Sequence, residues 1–201
     1  MPRATLSLPL LLALAILGAW SGPAMAQESP LDAVRSRNQL VQQVLARTPG
    51  DSVAGPDRER LKDVINGLMD FRELSRLALA RNWDARTDAE KEEFVEVFRE
   101  LVRSSSVKKL SIHRADSITY RPAEVEGDKA TVTTVAHKDR RSAEIVYLMH
   151  RVDGTWKAWD VVVDGSSTMR TYRDSFTREI RATSFDVMLS KLKDRLEQER
   201  G

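Results

Sequence analysis

Few residues in this chain are of a type and spacing that could perform chemistry, and they do not assemble into a recognised set. Its three histidines are His113, His137 and His150. None is spaced with another histidine or a carboxylate as a metal motif requires. Serine nucleophiles are no better supplied. Ser104, Ser105 and Ser106 form one cluster, Ser166 and Ser167 another, and neither sits in a Gly-x-Ser-x-Gly elbow. Ser166 and Ser167 precede a helical stripe and read as caps. The other cluster falls at the end of a long helix, where small side chains relieve crowding. There is no glycine-rich phosphate loop. The carboxylates around Lys91, from Asp88 to Glu93, alternate with that lysine and read as a solvated helix face. Asp160 stands out, because it lies between Trp159 and Val161 in an apolar run. A buried carboxyl group there could act as an acid or base. It could equally face outward or pair with an arginine from a covering helix, and the sequence nominates no catalytic partner for it.

The composition narrows the classes further. The chain contains no cysteine, which excludes disulfides, thiolate metal sites, a thiol nucleophile and a lipid-bearing cysteine. Its 32 basic and 30 acidic residues nearly balance, so the surface gives no general reason to bind nucleic acid. No metal, cofactor or catalytic set is therefore expected.

The elements that must position these residues follow from hydrophobic period. Leu31, Val34, Asn38, Val41, Val44 and Leu45 place a mostly apolar stripe on a helix over 31–47, ended by Thr48, Pro49 and Gly50. A second helix is expected from 57 to about 69. A third carries Phe71, Leu74, Leu77 and Ala78 toward Trp83. Thr87 and Glu90 form a capping-box pair, opening a longer helix with Phe94, Val97, Phe98, Leu101 and Val102 on one side. From about residue 116 the period shortens. Four β-rich runs, roughly 116–125, 129–138, 142–151 and 155–163, are joined by short polar turns and read as an antiparallel meander. The last run ends in Val161, Val162 and Val163, which places it centrally and under helices. Met169, Tyr172, Phe176 and Ile180 then make a helical stripe, and Ser184 caps a final helix with Phe185, Met188, Leu189, Leu192 and Leu196. The expected class is α+β, a curved four-stranded antiparallel sheet with helices before and after it.

Residues 1–26 read as a secretory signal peptide. Arg3 supplies the positive start, 6–20 an apolar stretch, and Ala24, Met25 and Ala26 a small-x-small cleavage site after Ala26. Residues 27–201 are then one exported domain.

Three segments resemble the MlaC family of bacterial envelope proteins, also called the toluene-tolerance auxiliary family. The first is Asp70-Phe71-Arg72-Glu73-Leu74-Ser75-Arg76-Leu77-Ala78-Leu79-Ala80-Arg81-Asn82-Trp83, followed at the family's spacing by 87–101 with Phe94 and Phe98. The second is Trp156-Lys157-Ala158-Trp159-Asp160-Val161-Val162-Val163-Asp164-Gly165-Ser166-Ser167, and the third Tyr172-Arg173-x-x-Phe176. The resemblance implies a periplasmic phospholipid-binding protein that shuttles lipid between an outer-membrane lipoprotein complex and an inner-membrane ABC transporter complex, without catalysis. It also implies a fold like the nuclear-transport-factor-like cone, with acyl chains inside and the head group near solvent. Two departures stand out. Ser104-Ser105-Ser106-Val107-Lys108-Lys109 replaces a tyrosine-containing segment, so smaller side chains could widen the cavity. Ala80 replaces a glycine, which suggests a more helical approach to Trp83.

On this reading the candidate lining residues are Phe71, Leu74, Phe94, Phe98, Leu101, Tyr147, Trp159, Val161, Val163, Tyr172 and Phe176. Arg81, Arg173 and Lys108 are candidates to meet a phosphate at the mouth. The lipid class, phospholipid or hopanoid-like, stays open. Two other readings compete. An isomerase or dehydratase on the same cone would use Asp160 with Tyr147 or His150 and needs a small pocket of converging polar groups. A non-lipid envelope adaptor needs a packed interior and an exposed apolar patch.

Overall fold

The computed structural model describes residues 28–47, 55–107 and 114–200. The signal-peptide segment, the turn after the first helix and Lys108 lie outside the described residues. Helix α1 spans Pro30–Ala46; Ser29 caps it by accepting from the Asp32 amide, and Pro30 supplies a pre-set first turn. Helix α2 spans Gly55–Asn66 and so ends earlier than its apolar period suggests. The reason is tertiary. Leu68, Met69 and Asp70 leave the helix to pair with a strand: the Ala158 amide donates to the Leu68 carbonyl, and the Asp70 amide donates to the Ala158 carbonyl, both at 2.8 Å.

Asp70 then caps α3, Phe71–Leu79, by accepting from the Glu73 amide. A 3-10 turn over Ala80–Asn82 follows. The expected helical approach to Trp83 does not occur, because Ala80 adopts φ 49° and ψ −127° and stops α3 at Leu79. That backbone state is comfortable only without a Cβ. Helix α4, Asp88–Val107, opens on the capping box: Thr87 Oγ1 accepts from the Glu90 amide, and Glu90 Oε2 accepts from the Thr87 amide.

The sheet has six strands rather than the expected four: β1 Ser117–Tyr120, β2 Glu124–Glu126, β3 Lys129–Lys138, β4 Arg141–Val152, β5 Thr155–Val163 and β6 Ser166–Ser167. The run expected over 116–125 splits in two because Pro122 has no amide to donate to the ladder; both pieces pair antiparallel with β3. The sixth strand arises where Asp164 and Gly165, both at positive φ, fold the chain back so that Val162 and Val163 pair with Ser167 and Ser166. The order is β1-β3-β4-β5-β6. Strand β5 is therefore next to last rather than central. Its outer edge is closed by β6 and by the Leu68–Asp70 pairing, and its apolar character follows from its faces, on which helices and the second core pack.

Between β4 and β5 the register slips: Leu148 faces Asp160 while Met149 faces Ala158, so Trp159 is the extra residue of a bulge. Asp160 neither faces outward nor meets an arginine. It is 1% exposed and accepts from Ser167 Oγ at 2.5 Å and from the Met169 amide at 2.9 Å. Ser167 in turn caps helix α5, Thr168–Ala182, by accepting from the Arg170 amide. Helix α6, Phe185–Arg200, begins after Ser184, which accepts from the Val187 amide.

Among the described residues three apolar cores result. The largest joins α3, α4, α5 and α6 around Phe94, Phe98, Phe176 and Phe185. A second packs Ala33 and Val34 of α1 on Val132, Met149 and Ala158 of the sheet. A third joins α1, α2 and the end of α4 through Val41, Val44, Leu61 and Val107.

The strained backbone at Ala80 yields a stability test. Ala80→Gly removes the Cβ conflict, worth on the order of 1–3 kcal/mol, and gives back part of it in unfolded-chain entropy. The expected net gain is about 1 kcal/mol in denaturant unfolding. An unchanged or lowered midpoint would remove the strain from the account.

Candidate functional site

Where the three cores meet, helices and sheet do not close on each other. They leave a partly open cavity of about 350 Å³, lined mainly by apolar surface. Val34 and Val41 of α1, Ile65 of α2 and Val102 of α4 form its helical wall. Ile118, Ala136, Ile145, Tyr147, Val161 and Val163 form its sheet wall, and Thr168, Thr171 and Tyr172 of α5 complete it. The volume lies at the small end of the range for ligand pockets, ~300–1,000 Å³.

The wall also contains serine and threonine side chains, and all but Ser166 turn their protons into the protein. Ser105 donates to the Val102 carbonyl at 3.0 Å and Ser106 to the Arg103 carbonyl at 2.8 Å. Thr134 donates to the Ile145 carbonyl at 3.4 Å, Thr168 to that of Val161 at 2.9 Å and Thr171 to that of Ser167 at 2.7 Å. Ser167 donates to Asp160. Asn66 donates to the Lys62 carbonyl and to Ser106, and Asn38 donates to the Tyr120 hydroxyl at 3.3 Å. The replaced segment that begins at Ser104 thus places Ser105 and Ser106 directly on the wall.

Of the residues nominated from sequence, Tyr147, Val161, Val163 and Tyr172 come together on this cavity. Leu74, Phe94, Phe98, Leu101 and Phe176 lie instead in the helical core, none more than 3% exposed, with Phe71 packed against them. There the Phe98 ring meets Tyr172 edge-on at 4.7 Å and Phe176 at 5.2 Å, so Tyr172 joins the core to the cavity wall. Trp159 occupies the bulge and belongs to neither group. Arg81 is not on the cavity wall, and Arg173 pairs with Asp174 at 3.7 Å beside a shallow surface depression.

Sequence reasoning passed over Val102, Ile118, Ala136 and Ile145, and most of all the cavity face of α1 with the end of α2 and the segment after it. Val34, Arg37, Asn38 and Val41 share one helix face by their spacing, and all four line the cavity with Ile65, Leu68 and Met69. The signal was present. The stripe of α1 was recognised as a stripe, and a charged residue sits within it three after Val34 and four before Val41.

The groups that an enzymatic reading requires do not converge. Asp160 is engaged at the start of α5. His150 Nε2 lies 2.9 Å from Asp70 Oδ2, beside the cap of α3. Tyr147 faces Val161 across the ladder, whereas Asp160 faces Leu148 and so belongs to the opposite side of the sheet. Among the described residues, no three His, Cys, Asp or Glu residues are grouped to hold a metal ion. Among the described residues, the exposed large apolar ones, Leu40, Val125 and Val187, sit singly on α1, β2 and α6. No described helix is long and apolar enough to cross a membrane.

Tyr147 borders the cavity and so keeps some accessible surface, while the protein around its hydroxyl withholds water. Burial, then the neighbouring Tyr120, pushes its pKa from 10 up to about 12, against smaller opposing hydrogen bonds with Thr134 and Asn38. The folded state therefore holds this proton more tightly than the unfolded chain. Its contribution to stability is complete below pH 10 and is lost as pH rises toward about 12. Ultraviolet titration should show a step near pH 12 that disappears in Tyr147→Phe. A wild-type titration unchanged by Tyr147→Phe in that range would contradict this placement.

Comparison with known proteins adds to the geometry. The profile of the MlaC protein family matches residues 38–194. A search of curated proteins finds no match. A similar solved structure is the phospholipid-binding protein of Ralstonia solanacearum, in complex with a phospholipid. It is 16% identical, with a TM-score of 0.72 over 87% of this chain and 100% of that one. At that identity the likeness establishes the fold, α+β with an open antiparallel sheet. Since the family match spans most of the sequence, from α1 to α6, the chain belongs to the MlaC family.

Proposed function

We propose that this protein is a periplasmic carrier that holds phospholipid acyl chains in the cavity between its helices and sheet. The observation that carries the reading is the cavity itself, an apolar space at the meeting of three packed cores in a chain of the MlaC family. The Ralstonia protein of the same fold, which contains a phospholipid, supports it. On this reading the cavity is the interior of a cone of the nuclear-transport-factor-like type. Residues 1–26 direct export and are removed after Ala26. The cargo passes between an outer-membrane lipoprotein complex and an inner-membrane ABC transporter complex.

The physical need for such a carrier is large. At ~0.8 kcal/mol per methylene, exposing a chain of about fifteen carbons to water costs on the order of 12 kcal/mol. A wall of Val34, Val41, Ile145, Tyr147, Val161, Val163 and Tyr172 replaces the bilayer interior, so loading and unloading can be nearly balanced. The carrier then requires no chemistry of its own, and the direction of flow comes from its partners. Tyr172 links the wall to the rigid aromatic core, which keeps the space from collapsing when it is empty.

Two measurements test this. Organic extraction of the purified protein followed by mass spectrometry should recover phospholipid in near-stoichiometric amount. A folded protein that contains none and takes none up from vesicles would end the proposal. Val161→Glu places a carboxylate in the apolar wall and should weaken lipid retention roughly tenfold or more, about 1.4 kcal/mol per decade. Unchanged retention would take Val161 off the contact surface.

A further inference from the structure

Arg37 is the only charged residue among the described residues that line the cavity, and no carboxylate lines it with Arg37. On α1 it follows Val34 by three and precedes Val41 by four, so it projects on the helix face that borders the space. No acidic residue elsewhere among the described residues pairs with it, whereas many of the other arginines, such as Arg35, Arg76 and Arg103, form ion pairs. Its guanidinium lies over Gly67: a Cβ at that glycine would stand 2.6 Å from Nη1 and 2.9 Å from Nη2. The absence of a side chain at Gly67 is what gives the planar group its seat.

The rest of the polar wall sharpens the contrast. Its serine and threonine protons, apart from that of Ser166, are directed to protein acceptors, and Asn38 and Asn66 are likewise engaged. A guanidinium offers five donors in a fixed fork and accepts none. Arg37 is half-buried, so water meets its donors until an anion takes their place.

We infer that Arg37 binds the anionic group of the cargo, which makes the cavity selective for amphiphiles that carry a negative charge beside their tails. This rests on the lipid-carrier reading and deepens it. A phosphodiester or a carboxylate supplies the shared chemistry, two oxygens that a guanidinium engages side-on. A neutral polycyclic lipid or a diacylglycerol fills the apolar wall equally well and leaves Arg37 unpaired. Arg37 is thus a specificity residue on a surface otherwise built for tails.

The test uses three probes with the same fluorescent tail: phosphatidylglycerol, a fatty acid and diacylglycerol, each added to the delipidated protein. Wild type should hold the anionic probes at least tenfold more tightly than diacylglycerol. Arg37→Gln should lose that preference while retaining diacylglycerol, and Arg37→Lys should keep much of it. Preference for phosphatidylglycerol over the fatty acid identifies phosphate as the recognised group, and the reverse identifies carboxylate. Equal binding of charged and neutral probes by wild type, or an Arg37→Gln variant that keeps the preference, overturns the assignment and leaves the carrier intact. If wild type takes up none of the three, the carrier reading fails and the assignment fails with it. Circular dichroism of the glutamine variant, an uncharged polar replacement on a helix face, checks that the fold is retained.

Discussion

A single buried carboxyl group sets the geometry of the cavity. Asp160 sits in β5 with 1% of its surface exposed and receives the Ser167 hydroxyl and the Met169 amide. Burying such a group is unfavourable unless its oxygens find donors, and these donors exist only if the chain turns back at Asp164 and Gly165 and starts α5 at Thr168. Once α5 starts there, its spacing does the rest. Thr168, Thr171 and Tyr172 come over the cavity, and Phe176, one turn on, enters the helical core. The acidic residue that seemed most suited to catalysis is thereby a structural anchor.

The apolar side chains are divided between two tasks. In the helical core, aromatic rings meet at 4.7–5.6 Å for the Phe98, Tyr172 and Phe176 set, in the offset and edge-on arrangements that such rings prefer. This core packs helix on helix and does not need the sheet to be complete. The second and third cores tie α1 to the sheet and to α2. Between these anchors the helices stand away from β4 and β5, and the intervening surface is available to a guest. A close-packed domain would have spent the same residues filling that space.

Much of the local structure was legible because its causes are local. The Thr87–Glu90 capping box, the Ser184 cap and the Asp153-Gly154 turn, with φ of 49° and 78°, depend on neighbours a few residues apart. The sheet face was not legible. Counting by twos from Trp156 through Ala158 points Asp160 and Val162 to the same side, but the bulge at Trp159 reverses the alternation and presents Val161 and Val163 to the cavity instead. That bulge answers to Leu68 and Asp70, which lie some ninety residues earlier and bind the Ala158 backbone. The same limit applies to the phenylalanines: helical period shows that Phe94 and Phe98 point inward, and only the assembled fold shows that another helix, rather than a void, meets them. Arg37 needed a different kind of attention, to the one charge within an otherwise apolar stripe.

The inward-turned hydroxyls make the cavity drier than its composition suggests. Ser105, Ser106, Thr134, Thr168 and Thr171 count as polar in any hydropathy scale, yet each has its proton committed to a backbone carbonyl. A hydrocarbon sliding past them meets methylene, methyl and oxygen surface and no donor awaiting a partner. A guest could then pass these side chains without breaking the hydrogen bonds they make within the protein. At these five side chains a guest would change the contact surface alone, and this part of the wall would offer little resistance to its movement.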